Sequence, residues 1–301
     1  MKNISIILFF LFILFPFSVL SKEEEKIDIK LVTQMQNSGF VGESLTYSLL
    51  LMSNTPEIAD VRIVGSPSLP SELKVINGVI RNNRPEKKEI KGKLYYCWTI
   101  LRKFIIPSKP GKYSIGNYKL IAFVPHEKIV YNQFWGNRRV VEYEEISIES
   151  DITNFKVNDL PKLSANLSFS GGVGDFKIDG WFPPGKIYKG KESYVVFTIS
   201  GYGSADNLVI PNIYKIFNKH CYLKEVEQEE EQMQRDGKLY SEVTLTCKFV
   251  PEEDEFEIDP LCLVFFNPAR KSFQTVCSEK LHWTSKSSTQ PSTSNQDAIA
   301  I

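Results

Sequence analysis

The sequence predicts an all-β protein built of two tandem β-sandwich domains that follow a signal peptide. Three observations support this prediction. Apolar and polar residues alternate along much of the chain, for example in residues 44–51, 142–149 and 193–200. Turn signals such as Lys109-Pro110-Gly111 and Asp236-Gly237 separate these segments. The chain also contains an internal repeat, which predicts that one arrangement of strands is used twice.

The repeat consists of matching segments that occur in the same order. Residues 42–49 resemble residues 190–197, and the tetrapeptide at 92–95 recurs identically at 237–240. Each copy continues with a strand, a bend marked by proline and two further strands. This plan fits two immunoglobulin-like or fibronectin-III-like sandwiches in tandem, of roughly 100 to 150 residues each.

The predicted order along the chain begins with a secretory signal peptide at residues 1–21, where Lys2 precedes a long apolar run. An uncleaved membrane anchor is the alternative, because the run is long enough to span a bilayer. The first sandwich is predicted at 26–159, a glycine-rich inter-domain linker at 160–175 and the second sandwich at 176–283. Residues 284–301 form a polar tail for which disorder is expected. We therefore expect an exported, periplasmic or otherwise extracytoplasmic protein that is membrane-attached only if its N-terminal segment is retained.

One segment has two interpretations at the level of sequence. Residues 226–235 are rich in glutamate and glutamine, and they fit either a short solvated helix or the arm of a long polar hairpin.

The five cysteines are interpreted in the light of export, which permits disulfides. If residues 261–278 form a symmetric hairpin with Phe266 opposite Phe273, then Cys262 lies opposite Cys277, within the range that a disulfide needs. The alternative is two small buried residues. A second bridge between Cys221 and Cys247 is compatible with the sequence, but spacing does not establish it.

Composition and motifs favour a non-catalytic role. The formal net charge is zero, which gives no basis for nucleic-acid binding. Residues 171–174 lack the spacing of a phosphate-binding loop, and the nucleophile motif G-x-S-x-G is absent. We predict no cofactor and no metal site. A thiol or metal enzyme that uses His220, Cys221 and Cys247 remains an alternative hypothesis.

The strongest surface candidate is the segment that holds Phe134, Trp135, Arg138 and Arg139. Aromatic residues beside arginine are typical of protein-interface anchors. The alternative is a hairpin turn whose tryptophan packs on its own domain.

Three places in the sequence resemble the BatD (Bacteroides aerotolerance, or oxygen-tolerance) family. The segment with Phe169, Gly171, Val173, Gly174, Asp175 and Phe176 resembles the family pattern F-x-G-x-V-G-D-F. The upstream residues 134–139, 146–150, Val157 and 160–161 are similar to the approach to that segment. The turn at 110–113 between tandem β-domains also fits.

The resemblance implies an exported protein, usually attached to the membrane, with a role in aerotolerance or stress resistance and no established enzymatic activity. It implies envelope partners that contain von Willebrand A (VWA) domains and TPR repeats. Family members commonly continue into a C-terminal transmembrane helix, whereas this sequence ends in a polar tail. Together these observations favour an interaction scaffold. A surface adhesin or carbohydrate-binding module is the alternative, and it predicts an exposed aromatic platform around Trp135 or Trp181.

Overall fold

A computed structural model describes residues 26–80, 84–134, 136–210, 213–217 and 220–284. It confirms that the protein is all-β, because nearly all of its regular structure is strand. The predicted signal peptide, Trp135 and all but the first residue of the predicted tail lie outside the described residues. Within those residues, no helix is long and apolar enough to cross a membrane.

The N-terminal half, residues 26–158, forms three sheets. The first has the order β1-β3-β7-β5, with β6 also on β7; the second is β10-β9-β4, and the third is β2-β11-β8. The strands are β1 Ile29–Gln34, β2 Ser38–Phe40, β3 Leu45–Ser53, β4 Asp60–Gly65, β5 Leu73–Asn77, β6 Glu86–Ile90, β7 Lys93–Pro107, β8 Gly111–Ile115, β9 Lys119–Asn132, β10 Gly136–Glu149 and β11 Thr153–Asn158.

The C-terminal half, residues 170–284, forms one six-stranded sheet of order β14-β15-β13-β12-β17-β18 and a two-stranded sheet of β16 and β19. A single 3₁₀ turn at Ile213–Ile216 interrupts the strands. The strands are β12 Val173–Trp181, β13 Ser193–Ser204, β14 Cys221–Arg235, β15 Lys238–Pro251, β16 Glu255–Ile258, β17 Cys262–Asn267, β18 Ser272–Cys277 and β19 Leu281–Thr284.

The sequence repeat corresponds to a repeated strand order. In the first half β1, β3, β7 and β6 are successive neighbours, and in the second half β12, β13, β15 and β14 are. The repeated tetrapeptides occupy the same place, because Gly92 and Gly237 each complete a two-residue turn. Lys91 and Gly92 have φ of 52° and 76°, and Asp236 and Gly237 have 49° and 73°. Two successive positive φ values are the signature of the tight turns that suit the twist of a hairpin.

Each half has its own hydrophobic core, formed by the alternate residues of its strands that face inward. Leu45, Tyr47 and Leu49 of β3 are buried in the first core, and Phe197 of β13 and Phe249 of β15 are buried in the second. The segment 226–235, for which helix and hairpin were both open, lies in β14 and pairs with β15. Because the segment is a paired strand, the helix alternative is wrong. Its glutamates occur on both faces of this edge strand.

The two halves contact each other at the turn end of the β14–β15 hairpin. Leu239 packs in one apolar cluster with Phe104 and Ile106 of β7 and with Ile76. The Gln234 side chain makes two hydrogen bonds to the backbone of Val79: its Oε1 accepts from the amide N at 2.9 Å, and its Nε2 donates to the carbonyl O at 3.0 Å. This docking site is called the joint below.

Charged groups flank the joint. Lys74 Nζ lies 2.6 Å from Asp206 Oδ1, and the Gln232 amide also donates to that oxygen. Burial by itself raises the pKa of Asp206, but the hydrogen bonds from Lys74, Gln232 and Ser204 outweigh it and lower the pKa below its ordinary value of 3.8. Asp206 is therefore ionised at neutral pH, and it links the two halves.

Candidate protein-interaction surface

The β9–β10 hairpin extends well beyond the core of the N-terminal half. Near its base, Leu120, Ala122 and Val124 of β9 are buried, and β4 pairs with β9 as far as Phe123. Beyond Phe123, no further strand of the described residues pairs with the hairpin, and residues 136–145 of β10 are all exposed. We call residues 125–143 the arm.

One face of the arm carries exposed apolar side chains. Paired residues in an antiparallel ladder point to the same face, so the pairs Ile129↔Arg139, Tyr131↔Asn137 and Glu127↔Val141 define it. Four apolar residues of this face are exposed to solvent: Ile129 at 67%, Tyr131 at 73%, Val141 at 49% and Tyr143 at 58%. We call these four residues the apolar face.

The opposite face of the arm is mainly polar. Two contacts cross the strands here: His126 Nε2 lies 2.8 Å from Glu144, just beyond the arm, and Lys128 Nζ forms an ion pair with Glu142 at 3.2 Å. Arg139 and Glu127 form another ion pair, at 3.4 Å, on the same side of the hairpin as the apolar face. Exposed pairs of this kind each contribute at most about 1 kcal/mol. These contacts favour the pairing of the two strands, but they do not cover the exposed apolar side chains.

The sequence-predicted interface residues are divided by the hairpin geometry. Phe134 lies at the turn with 89% of its surface exposed. Arg138 and Arg139 are exposed, but as consecutive residues of β10 they point to opposite faces. Trp135 lies outside the described residues. Of the described residues in this group, Arg139 shares a face of the hairpin with Ile129, and Arg138 shares the opposite face with Val130.

Sequence reasoning missed the apolar face. Its signal was present as two apolar stretches, residues 129–131 and 140–143, at similar distances from the turn. Only the fourteen-position register of β9 with β10 shows that they share a face.

A cleft of about 410 Å³ lies beside the base of the arm, between β4 and β7. Its lining includes Ile58, Val61, Ile80 and Trp98, and Val61 is paired with Ala122 of β9. The cleft therefore lies at the base of the arm, and its lining also includes the polar residues Asp60 and Thr99.

The glycine segment that marks the family resemblance is part of the second sheet. β12 begins at Val173, three residues before the start that was expected at Phe176. Gly171 has a φ of 89°, and a Cβ on it would lie 1.9 Å from the carbonyl oxygen of Asn207. Gly174 is equally confined, because its Cβ would lie 2.3 Å from the oxygen of Tyr202. These two glycines allow the close approach of neighbouring backbone, which a side chain would prevent.

The other marker residues of this segment are also used in packing. Phe169 packs edge-to-face on Phe273, and Phe176 packs on Phe265, with ring centroids 5.3 and 4.8 Å apart. Asp175 accepts a hydrogen bond from the side-chain amide of Asn267 at 3.1 Å. The segment therefore contributes to the fold of the C-terminal half.

The cysteines fall into two classes. Cys262 lies opposite Cys277 in the register expected from the hairpin, and the two form a disulfide. Cys97, Cys221 and Cys247 are free and buried. Burial raises the pKa of the Cys247 thiol to about 12, and burial together with Glu252 raises that of Cys221 to about 12. A reactive thiol needs the opposite shift.

His220 was the remaining candidate for metal chemistry, and it lies beside an acidic residue. His220 Nδ1 lies 2.7 Å from Glu253 Oε1 in the loop region beside β14. Among the described residues, no group of three or more His, Cys, Asp or Glu side chains is close enough to hold a metal ion.

Comparison with known proteins adds no family. The chain matches no protein-family model, and no curated protein matches it.

Proposed function

We propose that the protein is a non-catalytic, exported scaffold of two tandem Ig-like β-sandwiches that binds other envelope proteins through its arm. The observation that carries the proposal is the apolar face, whose side chains stay exposed although the strand pairing around them is regular. Exposed apolar patches with a polar surround are typical of interaction sites. The ion pairs of the arm provide such a surround.

Further observations support parts of the proposal. The repeated strand order and the separate cores favour two sandwiches of one kind. The disulfide is compatible with an oxidising, extracytoplasmic compartment. The resemblance to the BatD family makes VWA-domain and TPR proteins the first partners to test, and it gives the scaffold a role in oxygen or stress tolerance.

The test is a pull-down from envelope extract with the exported chain as bait. The variant Ile129→Ser/Tyr131→Ser removes two residues of the apolar face. The matched control, Val130→Ser/Val140→Ser, removes two valines that are 42% and 41% exposed on the opposite face. We expect the wild type and the control to capture a VWA-domain or TPR protein, and the apolar-face variant to lose it. Capture of no envelope protein, or equal capture by all three baits, would contradict the proposal.

Thiol titration tests the catalytic alternative. Because the three free cysteines are buried, we expect no reaction with a thiol reagent in the native protein and three thiols after unfolding. A thiol that reacts rapidly in the native protein at neutral pH would support an enzyme instead.

A second candidate function rests on Trp181. This residue is 42% exposed on the outer face of the six-stranded sheet, where it is paired with Val196 and lies near Tyr194, which is 46% exposed. Flat aromatic side chains on a sheet can stack on sugar rings, so the C-terminal half is a candidate glycan-binding module. A glycan-array screen tests this: binding that Trp181→Ala abolishes would favour it, and the absence of binding by the wild type would dismiss it.

A further inference from the structure

We propose that two copies of the chain associate through the outer edges of their β10 strands. The two β10 strands pair antiparallel about a two-fold axis at Val141. The two β10-β9-β4 sheets then become one continuous sheet of six strands. The inference goes beyond the scaffold function, because the partner is a second copy of this chain and the contact is a strand edge.

The edge of β10 is open. β10 is the outer strand of its sheet, and within the described residues its strand partner is β9 alone. The parallel bridge of Ser150 with Leu31 lies beyond its C-terminal end. An unpaired edge exposes backbone N–H and C=O groups that can bind another strand.

Two of the usual protections of an edge strand are missing from β10. It contains no proline, and its register with β9 runs through fourteen positions without a bulge. Proteins commonly place prolines, bulges or charged side chains at edges that must stay unpaired. β10 does carry charged side chains, but they are of both signs and can therefore pair with those of a second copy.

The charges of β10 are segregated along the strand. Arg138 and Arg139 lie in its first half, and Glu142, Glu144 and Glu145 lie in its second half. A parallel copy would place like charges together, whereas an antiparallel copy places the basic half of each strand against the acidic half of the other. Charge complementarity of this kind selects the partner and its orientation.

The same charges restrict the register. A two-fold axis at Arg139 would place Arg139 of one copy opposite Arg139 of the other. An axis at Glu142 would place the two copies of Glu142 opposite each other. With the axis at Val141, Arg138 lies opposite Glu144 of the second copy and Arg139 lies opposite the ring of Tyr143 of the second copy. An axis at Val140 would leave Arg139 opposite a valine. The register at Val141 therefore places a favourable group of the second copy opposite each arginine.

The two-fold arrangement also uses the apolar face. An axis perpendicular to the sheet keeps both apolar faces on the same side, so that Val141 of one copy lies against Val141 of the other. An isologous contact of this kind closes after two copies and does not propagate into a fibre.

The other long edge strand of the molecule lacks this complementarity. Five glutamates occur in β14 between positions 225 and 231, and its register has a bulge between Leu223 and Glu225. A second copy of β14 would meet like charge in either orientation. Self-association is therefore assigned to β10.

A charge-exchange experiment tests the proposal, with analytical ultracentrifugation of the exported chain as the readout. We expect the wild type to be a dimer. Arg138→Glu alone and Glu144→Arg alone each place like charges opposite each other at two symmetric positions, and each raises the dimer dissociation constant about tenfold. An equimolar mixture of the two variants restores the dimer, because every facing pair is again of opposite sign. Circular dichroism confirms that both variants are folded.

Cross-linking tests the register. Val141→Cys is expected to form a covalent dimer under oxidising conditions, and Val140→Cys is the control that does not. A monomeric wild type overturns the proposal, and so does a dimer that neither charge variant weakens. Because these variants leave Ile129 and Tyr131 unchanged, a monomer that still captures an envelope partner would overturn only the dimer.

Discussion

The two long hairpins of the molecule, β9–β10 and β14–β15, have nearly the same length and opposite surroundings at their turns. The strands of the first have 14 residues each, and those of the second have 15 and 14. The turn end of β14–β15 docks on the other half of the molecule, and the arm of β9–β10 extends into solvent.

The difference lies in a few side chains near the turns. Leu239 follows the turn of β14–β15 and is 2% exposed, whereas Ile129 and Tyr131 precede the turn of β9–β10 and are 67% and 73% exposed. Both hairpins therefore carry apolar residues near their ends, but only one of them buries these residues within the molecule. An isolated two-stranded hairpin is marginally stable. The proposed partner would cover the exposed apolar residues of the arm and would stabilise the hairpin.

The largest expected effect concerns the apolar contacts of the two hairpins. Leu239→Ala leaves a cavity beside Phe104 and Ile106 and should lower the free energy of unfolding by about 2–4 kcal/mol. The matched change in the arm, Ile129→Ala, should alter it by less than about 0.5 kcal/mol. Urea unfolding of the full chain measures both values. Equal losses would show that the arm packs on the molecule and would remove the contrast between the hairpins.

The next effect concerns the hydrogen bonds of the joint. Gln234→Ala removes both bonds to the backbone of Val79, which should lower the free energy of unfolding by about 1–2 kcal/mol and accelerate hydrogen exchange at the Val79 amide. Gln228→Ala is the control, because Gln228 lies on the same strand face of β14 and is exposed. If exchange at Val79 is unchanged in Gln234→Ala, then the side-chain amide does not hold the joint in solution.

A third prediction concerns the pH dependence of the joint. The pKa of Asp206 is lowered on folding, so its ionised form stabilises the folded state above the ordinary value of 3.8, and this contribution is lost as the pH falls through the lower, folded pKa. Asp206→Asn should therefore flatten the acid limb of a stability-against-pH curve measured by thermal unfolding. A variant curve parallel to that of the wild type between pH 5 and the acid transition, roughly the span in which such carboxylates titrate, would contradict the assignment.

Much of the fold could be predicted because its signals are local. Alternation and paired turn residues predicted the strands, and the repeated Gly-Lys-Leu-Tyr segment predicted a strand order that occurs in both halves. The pairing of Cys262 with Cys277 followed from counting outward along a symmetric hairpin. Each of these inferences uses residues that lie close together in the chain.

The joint and the arm could not be predicted in the same way. The contact of Gln234 with Val79 joins residues 155 positions apart, and no local pattern encodes it. A strand end that projects from a core has the same alternation as one that is covered, so the exposure of Ile129 and Tyr131 depends on where β4 stops. The glycine segment shows the reverse case, because it was predicted as an inter-domain linker, whereas Gly174 lies in β12 and Gly171 lies against the backbone of Asn207.

The smallest expected effect concerns two ion pairs, one in the arm and one beside the joint. Lys128→Ala in the arm removes a partner of Glu142, whose side chain is 58% exposed, and should lower the free energy of unfolding by at most about 0.5 kcal/mol. Lys74→Ala removes a partner of Asp206, whose side chain is only 15% exposed, and should cost about 1 kcal/mol, because the carboxylate that remains is poorly hydrated. Double-mutant cycles with Glu142→Ala and Asp206→Ala isolate the two coupling energies. A coupling at Lys128–Glu142 as large as that at Lys74–Asp206 would contradict the solvent exposure of this face of the arm.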